Sequence, residues 1–458
     1  MRTTTRLAAL AALAGAAVVL SGCTATAGAS TAGDSAATLE GTIPELAADQ
    51  KVEIVFESYN LAQAGVWSET INQLIGEFEE QNPNITVTAQ PTQGGTAALN
   101  TVGSVQTQML AGSPPDVAQI TFDSLDFTVN QLGAQPVEQL VGTEAVEEAF
   151  GGDHPMHPKA AVLGDWDGVT YGMPYVFSTP VLWYNATALE AAGLPADVDL
   201  STWDAVKAAA EKVTAATGKP ALTITCAVKG GSWCMQGIFA SNGGGVLSDD
   251  RSTIEFGTPE SVGAVEMLRE LYDDGVLANL DSAAQYEAFA RGDSVIQLQT
   301  SVMQSTYMAA AEAGGWELKN TVMPAFDGQP AVPTNSGSAL FMFSQEPAKQ
   351  RAAWEFMKFM TSDRAYEVIS TGIGYLPLRT GLTEGDGALA EWTAGNPLVA
   401  PNLAQLDDLS PWVSYPGNSY VQVDDVLATA IEDSVFYGKD PQATMTEAAD
   451  RAQTLIGE

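Results

Sequence analysis

The chain is poor in the residues that most often carry chemistry. It has 2 histidines and 3 cysteines in 458 residues, too few for a zinc framework. Lysine and arginine together number 19 against 56 aspartates and glutamates, a net charge of −37. A nucleic-acid interface needs clustered cations to neutralise phosphates, so that class is excluded. An acidic membrane surface would repel such a chain. No segment reaches the roughly 18 uninterrupted apolar residues of a membrane-spanning helix. There is no G-x-S-x-G elbow and no H-E-x-x-H helix. Gly243-Gly-Gly lacks the Gly-Lys-Ser/Thr of a phosphate loop, and Gly94-Gly95 opens no dinucleotide fingerprint. His154 and His157 are three apart, but Pro155 and Pro158 make that stretch a loop, so no metal and no cofactor is expected. What the chain does have is 45% hydrophobic residues and 9 tryptophans, enough for real cores. At about 150 residues per domain the length fits two or three units, or one two-lobed body.

The N-terminus reads as an address. Arg2 and Arg6 precede an apolar run of 14 residues, Leu7 to Leu20, short and Ala-rich as in a secretory signal. The run ends in Leu20-Ser-Gly-Cys23, which resembles a bacterial lipobox. The expectation is a signal peptide over 1–22, lipid on the Cys23 sulfur, and a flexible Ala/Thr/Gly/Ser tether over 23–49. That places the body outside the cytoplasm, held to a membrane, where disulfides persist. The two remaining cysteines, Cys226 and Cys234, flank Gly230-Gly231, which lets the chain turn back. A disulfide between them is expected; the alternative is two buried free thiols. Neither has a nearby histidine, so a Cys–His nucleophile is not supported.

Periodicity then predicts an α/β body. Lys51 to Glu57 reads as a strand. Leu61 to Glu80 reads as a helix with Trp67, Ile71, Leu74, Ile75 and Phe78 on one face. A strand from Ile85, a helix over Leu99–Leu110 and a strand over Asp116–Ile120 complete a β-α-β-α-β opening, the pattern of a mostly parallel sheet. Asp167-Gly168 signals a hairpin. Val181–Tyr184, Ser294–Gln299, Thr321–Phe326 and Ser338–Phe343 read as further strands. Ser201-Thr-Trp-Asp204 has the form of a capping box opening a helix to Thr217. Helices are also expected over Thr258–Asp274, Gln345–Met360 and most of Val421–Gly457. Trp183 and Trp354 sit inside apolar elements and read as core.

Several local patterns recur in one order. Gly112-Ser-Pro-Pro-Asp-Val117 precedes Asp167-Gly-Val-Thr-Tyr-Gly-Met-Pro174 and Ser178-Thr-Pro-Val-Leu-Trp-Tyr-Asn185. Ala191-Ala-Gly-Leu-Pro195, Gly292-Asp-Ser-Val-Ile-Gln297, Met323-Pro-Ala-Phe326 and Ser336-Gly-Ser338 follow, then Thr371-Gly-Ile-Gly-Tyr-Leu-Pro-Leu-Arg379. Over residues 51 to about 455 this resembles the extracellular solute-binding proteins (family 1, sugar-binding class) of bacterial ABC importers, nearest the glycerol-3-phosphate-binding type. The resemblance implies a periplasmic-binding-protein-like fold of two lobes, each a mostly parallel sheet with flanking helices, joined by three crossovers. Lobe 1 would hold 50–177 and 322–361, and lobe 2 would hold 178–321 and 362–458. It implies a monomeric receptor that closes on its ligand and presents it to the transmembrane subunits of an ABC permease, without catalysis.

Mapped on this chain, the family pattern gives ligand-binding candidates on loops at strand ends. They are Ser58 and Tyr59; Thr121 and Asp123; Ser178 and Thr179; Trp233; Asn242; Thr300 and Ser301; Gly337 and Ser338; Tyr375; and Tyr415. Hydroxyls, amides and aromatic faces suit a polyhydroxylated ligand. The chain departs from its phosphate-recognising relatives. Their late arginine is replaced by Tyr415, and their acid after the third strand aligns with Phe122, with Asp123 one step on. Arg379 reads as scaffold. A buried phosphate without a cation is poorly compensated, so a neutral sugar, oligosaccharide or polyol is the expected ligand. Glycerol 3-phosphate or a glycerophosphodiester is the alternative, since backbone nests also hold phosphate. A secreted glycoside hydrolase is the rival of another class.

Overall fold

The computed structural model describes residues 39–94 and 100–457. The signal segment, Cys23 and the tether up to residue 38 lie outside the described residues, as does Leu99. Among the described residues there are eleven strands: β1 (Val52–Ser58), β2 (Ile85–Pro91), β3 (Val117–Thr121), β4 (Asp165–Trp166), β5 (Val169–Thr170), β6 (Gly172–Ser178), β7 (Pro180–Asn185), β8 (Leu222–Ile224), β9 (Ile296–Thr300), β10 (Leu318–Val322) and β11 (Ser336–Met342). They form two main sheets, ordered β2-β1-β3-β11-β6 and β10-β7-β9-β8, and the β4–β5 hairpin. Each main sheet carries helices, giving two lobes.

The first lobe is built on β1, whose residues alternate and then become continuously buried. The helix Val66–Gln81 turns Ile71, Leu74 and Phe78 onto this sheet, because apolar residues three and four apart share one helical face. The helix Pro347–Met360 buries Trp354, Phe356, Met357 and Met360 beside it. Phe356 meets Phe56 and Phe78 at 5.0 and 5.2 Å, both edge-on, the geometry the ring quadrupoles favour. In the second lobe every residue of β7 is buried, Trp183 among them. The helix Trp203–Thr217 starts where Thr202 Oγ1 accepts from the Ala205 N–H at 3.2 Å. The cap is thus Thr202, one residue later than the Ser201 capping box implied.

The crossing between the lobes is abrupt. β6 ends at Ser178 in one sheet and β7 begins at Pro180 in the other, so Thr179 alone joins them. Several expected boundaries shift. The strand read at Thr321–Phe326 runs from Leu318 to Val322, because Pro324 has no N–H to continue the ladder. Residues 323–335 stay with the second sheet's helices: Trp203 N–H donates to the Ala325 carbonyl and Val332 N–H to Ser241 Oγ. The return to the first sheet therefore comes at Ser336, not at 322. The helix Asp363–Gly372 packs in the first lobe's core through Ala365, Val368 and Ile369. Arg379 then donates to the carbonyls of Ala149, Gly151, His154 and Thr361. The third crossing lies beyond Thr380 rather than at 361.

Both sheets are mixed rather than mostly parallel. β1 pairs parallel with β2 and β3, and β8 with β9; β11 and β7 run antiparallel to their neighbours. The antiparallel partners are the strands that enter from a crossover, which no β-α-β rule constrains. The tether is also shorter than expected at its distal end. Ile43 is buried, and Thr42 and Ile43 N–H groups both reach the Leu140 carbonyl. Arg351 holds the Ile43 and Pro44 carbonyls and pairs with Glu45 at 3.0 Å. One apolar side chain in the polar run is enough to dock it. A further helix, Ser232–Ser241, is buried on nearly every side, so it has no amphipathic period for a sequence reading to find.

Gly337 marks the tightest backbone approach near the crossings. Its φ is +128°, and a Cβ there would lie 2.0 Å from the Val176 carbonyl oxygen. Gly337→Ala is expected to destabilise the protein by on the order of 3 kcal/mol or to prevent folding, read by urea unfolding. A Gly337→Ala protein of unchanged midpoint would refute this.

Candidate functional site

A cavity of about 490 Å³ lies between the two lobes. It opens where strands end: Tyr59 follows β1, Thr121 and Asp123 close β3, Ser178 closes β6, Thr225 follows β8, and Thr300 closes β9. Loops after strand carboxyl ends are where α/β sheets place ligands. Trp233, Gly337 and Tyr375 also line it. A larger groove of about 1000 Å³ at the edge strand β10 contains none of these residues.

The remaining candidates are not on the wall. Ser58 and Ser338 stand one layer behind it, fully buried. Ser58 Oγ donates to Gln119 Oε1 at 2.5 Å, Gln119 Nε2 donates to Ser338 Oγ at 2.9 Å, and the Tyr59 hydroxyl reaches Ser338 Oγ at 3.2 Å. They hold Tyr59 in place. Burial raises the Tyr59 phenol above its usual pKa and Tyr375 well above it, so both stay neutral donors. Thr179 and Ser301 sit at the crossing. The Ser301 N–H donates to the Thr179 carbonyl at 2.9 Å, and Thr179 Oγ1 bonds Asn402 and Gln405. Tyr415 is buried with an unpaired hydroxyl and is not among the residues lining the cavity. Asn242 is misplaced. It ends the helix that Trp233 begins, about 1.5 Å per residue away along nine residues, and its amide caps the Glu260 carbonyl.

The wall contains residues the sequence reading passed over. Trp67 belongs to the first lobe's helix, but its ring meets Tyr375 edge-on at 5.6 Å inside the cavity. Tyr286, Gln299, Ser232, Trp412, Tyr420 and Asp424 line it as well. Tyr420, Asp424 and Ala428 are four apart on one helix, the helix Tyr420–Phe436. That stripe was present in the sequence and is the signal that would have found them.

The electrostatics are lopsided. Asp123, Asp424 and Asp425 line the cavity, against one cation, Lys229. Lys229 Nζ is 2.8 Å from Asp425. Burial, with the Asp424 charge beside it, pushes the Asp123 carboxyl up to about 7, despite a lowering contact from Thr121. Burial also raises Asp424, against the hydrogen bond from Ser232 Oγ at 2.7 Å. Arg379, the cation nearest the Gly-Tyr-Leu-Pro segment, is spent on backbone carbonyls. Among the described residues no group of three or more His, Cys, Asp or Glu is placed to hold a metal, and no helix is long and apolar enough to cross a membrane. Cys226 and Cys234 form a disulfide at the Trp233 end of the cavity.

Two lobes joined at short crossings, with a polar and aromatic cavity between them, define a ligand-binding protein of the two-lobed type. The chain belongs to the bacterial extracellular solute-binding proteins, which it matches over residues 73–399. It is similar to the sn-glycerol-3-phosphate-binding periplasmic protein UgpB of Rhizobium meliloti, 22% identical over 86% of this chain and 92% of that one. Its fold is that of the cyclic alpha-maltosyl-1,6-maltose binding protein from Arthrobacter globiformis, with a TM-score of 0.75 at 19% identity over 89% of this chain and 99% of that one. UgpB from Mycobacterium tuberculosis gives a TM-score of 0.75 at 20% identity over 88% and 98%. Membership of a solute-binding family sets the hydrolase reading aside.

The raised carboxyls have a consequence for stability. Between about pH 4, the unfolded aspartate value, and about 7, the folded protein holds the Asp123 proton that the unfolded chain has lost. Stability therefore falls as pH rises through that window. The melting temperature of the empty protein is expected to decline from pH 5 to pH 8, and Asp123→Asn to flatten the decline. Parallel curves for both proteins would remove Asp123 as its source.

Proposed function

We propose that this protein is the lipid-tethered substrate receptor of an ABC importer. It binds a neutral carbohydrate (a sugar, oligosaccharide or polyol) in the interlobe cleft and delivers it to the permease. In this reading Cys23 carries the lipid, the body works as a monomer at the outer face of a Gram-positive-type membrane, and the lobes close by bending at the crossings. The observation that carries the ligand class is the charge of the cavity wall. Its single cation is paired with Asp425, while aromatic faces and hydroxyl or amide groups supply what a polyhydroxylated ligand needs. The candidates on the wall, Tyr59, Thr121, Asp123, Ser178, Trp233, Thr300, Gly337 and Tyr375, are proposed as ligand contacts. Ser58, Ser338, Thr179, Ser301 and Tyr415 support them.

A second reading rests on a specific observation. The curated relatives include sn-glycerol-3-phosphate-binding proteins, and the M. tuberculosis structure is a complex with glycerophosphocholine. An organic phosphate in this cleft would have to rely on backbone N–H groups, with three carboxylates lining the same cavity.

A thermal-shift screen separates the two. Neutral mono- and oligosaccharides or polyols are expected to raise the melting temperature, by mass action. A rise confined to glycerol 3-phosphate or glycerophosphodiesters would overturn the ligand choice and keep the receptor. Trp233→Ala and Tyr375→Ala are each expected to weaken binding tenfold or more, by titration calorimetry. Unchanged affinity in both would misplace the cleft. For the tether, Cys23→Ala is expected to release the protein from the membrane fraction into the medium. Retention of that variant in membranes would refute lipid anchoring there.

A further inference from the structure

Asp123 and Asp424 line the same cavity from different lobes. Asp123 follows β3, and Asp424 projects from the helix Tyr420–Phe436. The charge of Asp424 acts on Asp123, and the Tyr420 phenol feels both. Asp123 Oδ1 is buried without a hydrogen-bond partner. Asp424 is met by the Ser232 hydroxyl, which leaves its charge uncompensated. Lys229, the cation lining the cavity, has its ammonium 2.8 Å from Asp425 and bonds neither acid. Trp233, Trp412, Tyr286 and Tyr420 line the same cavity.

Ligand hydroxyls would satisfy the hydrogen bonds of these oxygens but not their charge. A protonated amine does both, through charge-assisted bonds about twice as strong as neutral ones. An aromatic face attracts a cation more strongly than a neutral hydroxyl. We infer that the Asp123–Asp424 end of the cleft is an amine subsite, so that the carbohydrate favoured here carries a protonated amino group on the unit that reaches it. This rests on the carbohydrate reading and narrows it: fully neutral sugars remain ligands, and an aminated counterpart binds more tightly. The same pair selects against anions, in line with a chain of net charge −37 that draws cations towards it.

The test is a matched panel on the purified protein, by thermal shift and calorimetry. Glucose, glucosamine and N-acetylglucosamine form one set, the galactose series a second, and four-unit cello-, chitosan- and chitin-derived oligomers a third. Members of a set differ only in hydroxyl, ammonium or acetamide at one carbon of each sugar unit. The amine member of at least one set is expected to bind tenfold or more tighter than its hydroxyl counterpart. Asp424→Asn is expected to bring the amine member's affinity down to that of its hydroxyl counterpart, and Asp424→Glu to retain the preference. Neutral members binding as well as or better than amines in every set would overturn the amine subsite and leave the carbohydrate reading standing. Shifts with organic phosphates alone, or with no member of the panel, would overturn both. An amine preference that survives Asp424→Asn would also overturn the assignment.

Discussion

Thr179 is the only residue between β6 of one sheet and β7 of the other, so the hydrogen bonds around it fix where the lobes meet. Its hydroxyl bonds the side chains of Asn402 and Gln405. Gln405 also donates to the Pro180 carbonyl at 3.0 Å and accepts the Met323 N–H at 2.7 Å. One buried amide thus ties the first crossing to the segment that follows β10. Such a network is stabilising only while every member is satisfied, which makes the pivot position well defined. The cavity wall inherits that definition. Ser178 lies one residue before the pivot and accepts from the Thr300 hydroxyl at 2.8 Å, and Ser301 contacts the Thr179 backbone.

Much of the fold was legible in the sequence because two periods were clean. Phe56 and the Ile71–Leu74–Phe78 face, the Pro347–Met360 helix and the Asp167-Gly168 hairpin each have one exposed and one buried side, or a defined turn. Elements without contrast were missed. The helix around Met235 and Phe239 is apolar throughout, and β8 has only three residues. Boundaries at the crossings failed for a different reason. Residues 323–335 and 363–380 are assigned to a lobe by tertiary hydrogen bonds such as those of Arg379, which leave no local trace.

The site was legible where a residue type and a strand end coincided, as at Tyr59, Asp123, Ser178 and Thr300. The same family mapping named Ser58, Ser338 and Tyr415, which lie buried outside the cavity lining. Trp67 reads as a helix-face residue and is one, whereas Tyr420 lies one residue ahead of the helical region expected from Val421. What the pattern cannot say is that both line one cavity. Contacts between lobes depend on the crossings, and the crossings are the least local feature of the chain.

The docking of residues 39–45 bears on how the molecule withstands force. Ile43 is packed into the first lobe, and Arg351 grips the carbonyls on either side of the Ile43–Pro44 bond. Any pull on the chain ahead of Leu39 is therefore taken up by the first lobe alone. A force applied ahead of Leu39 would therefore bypass Thr179 and the hydrogen bonds around it.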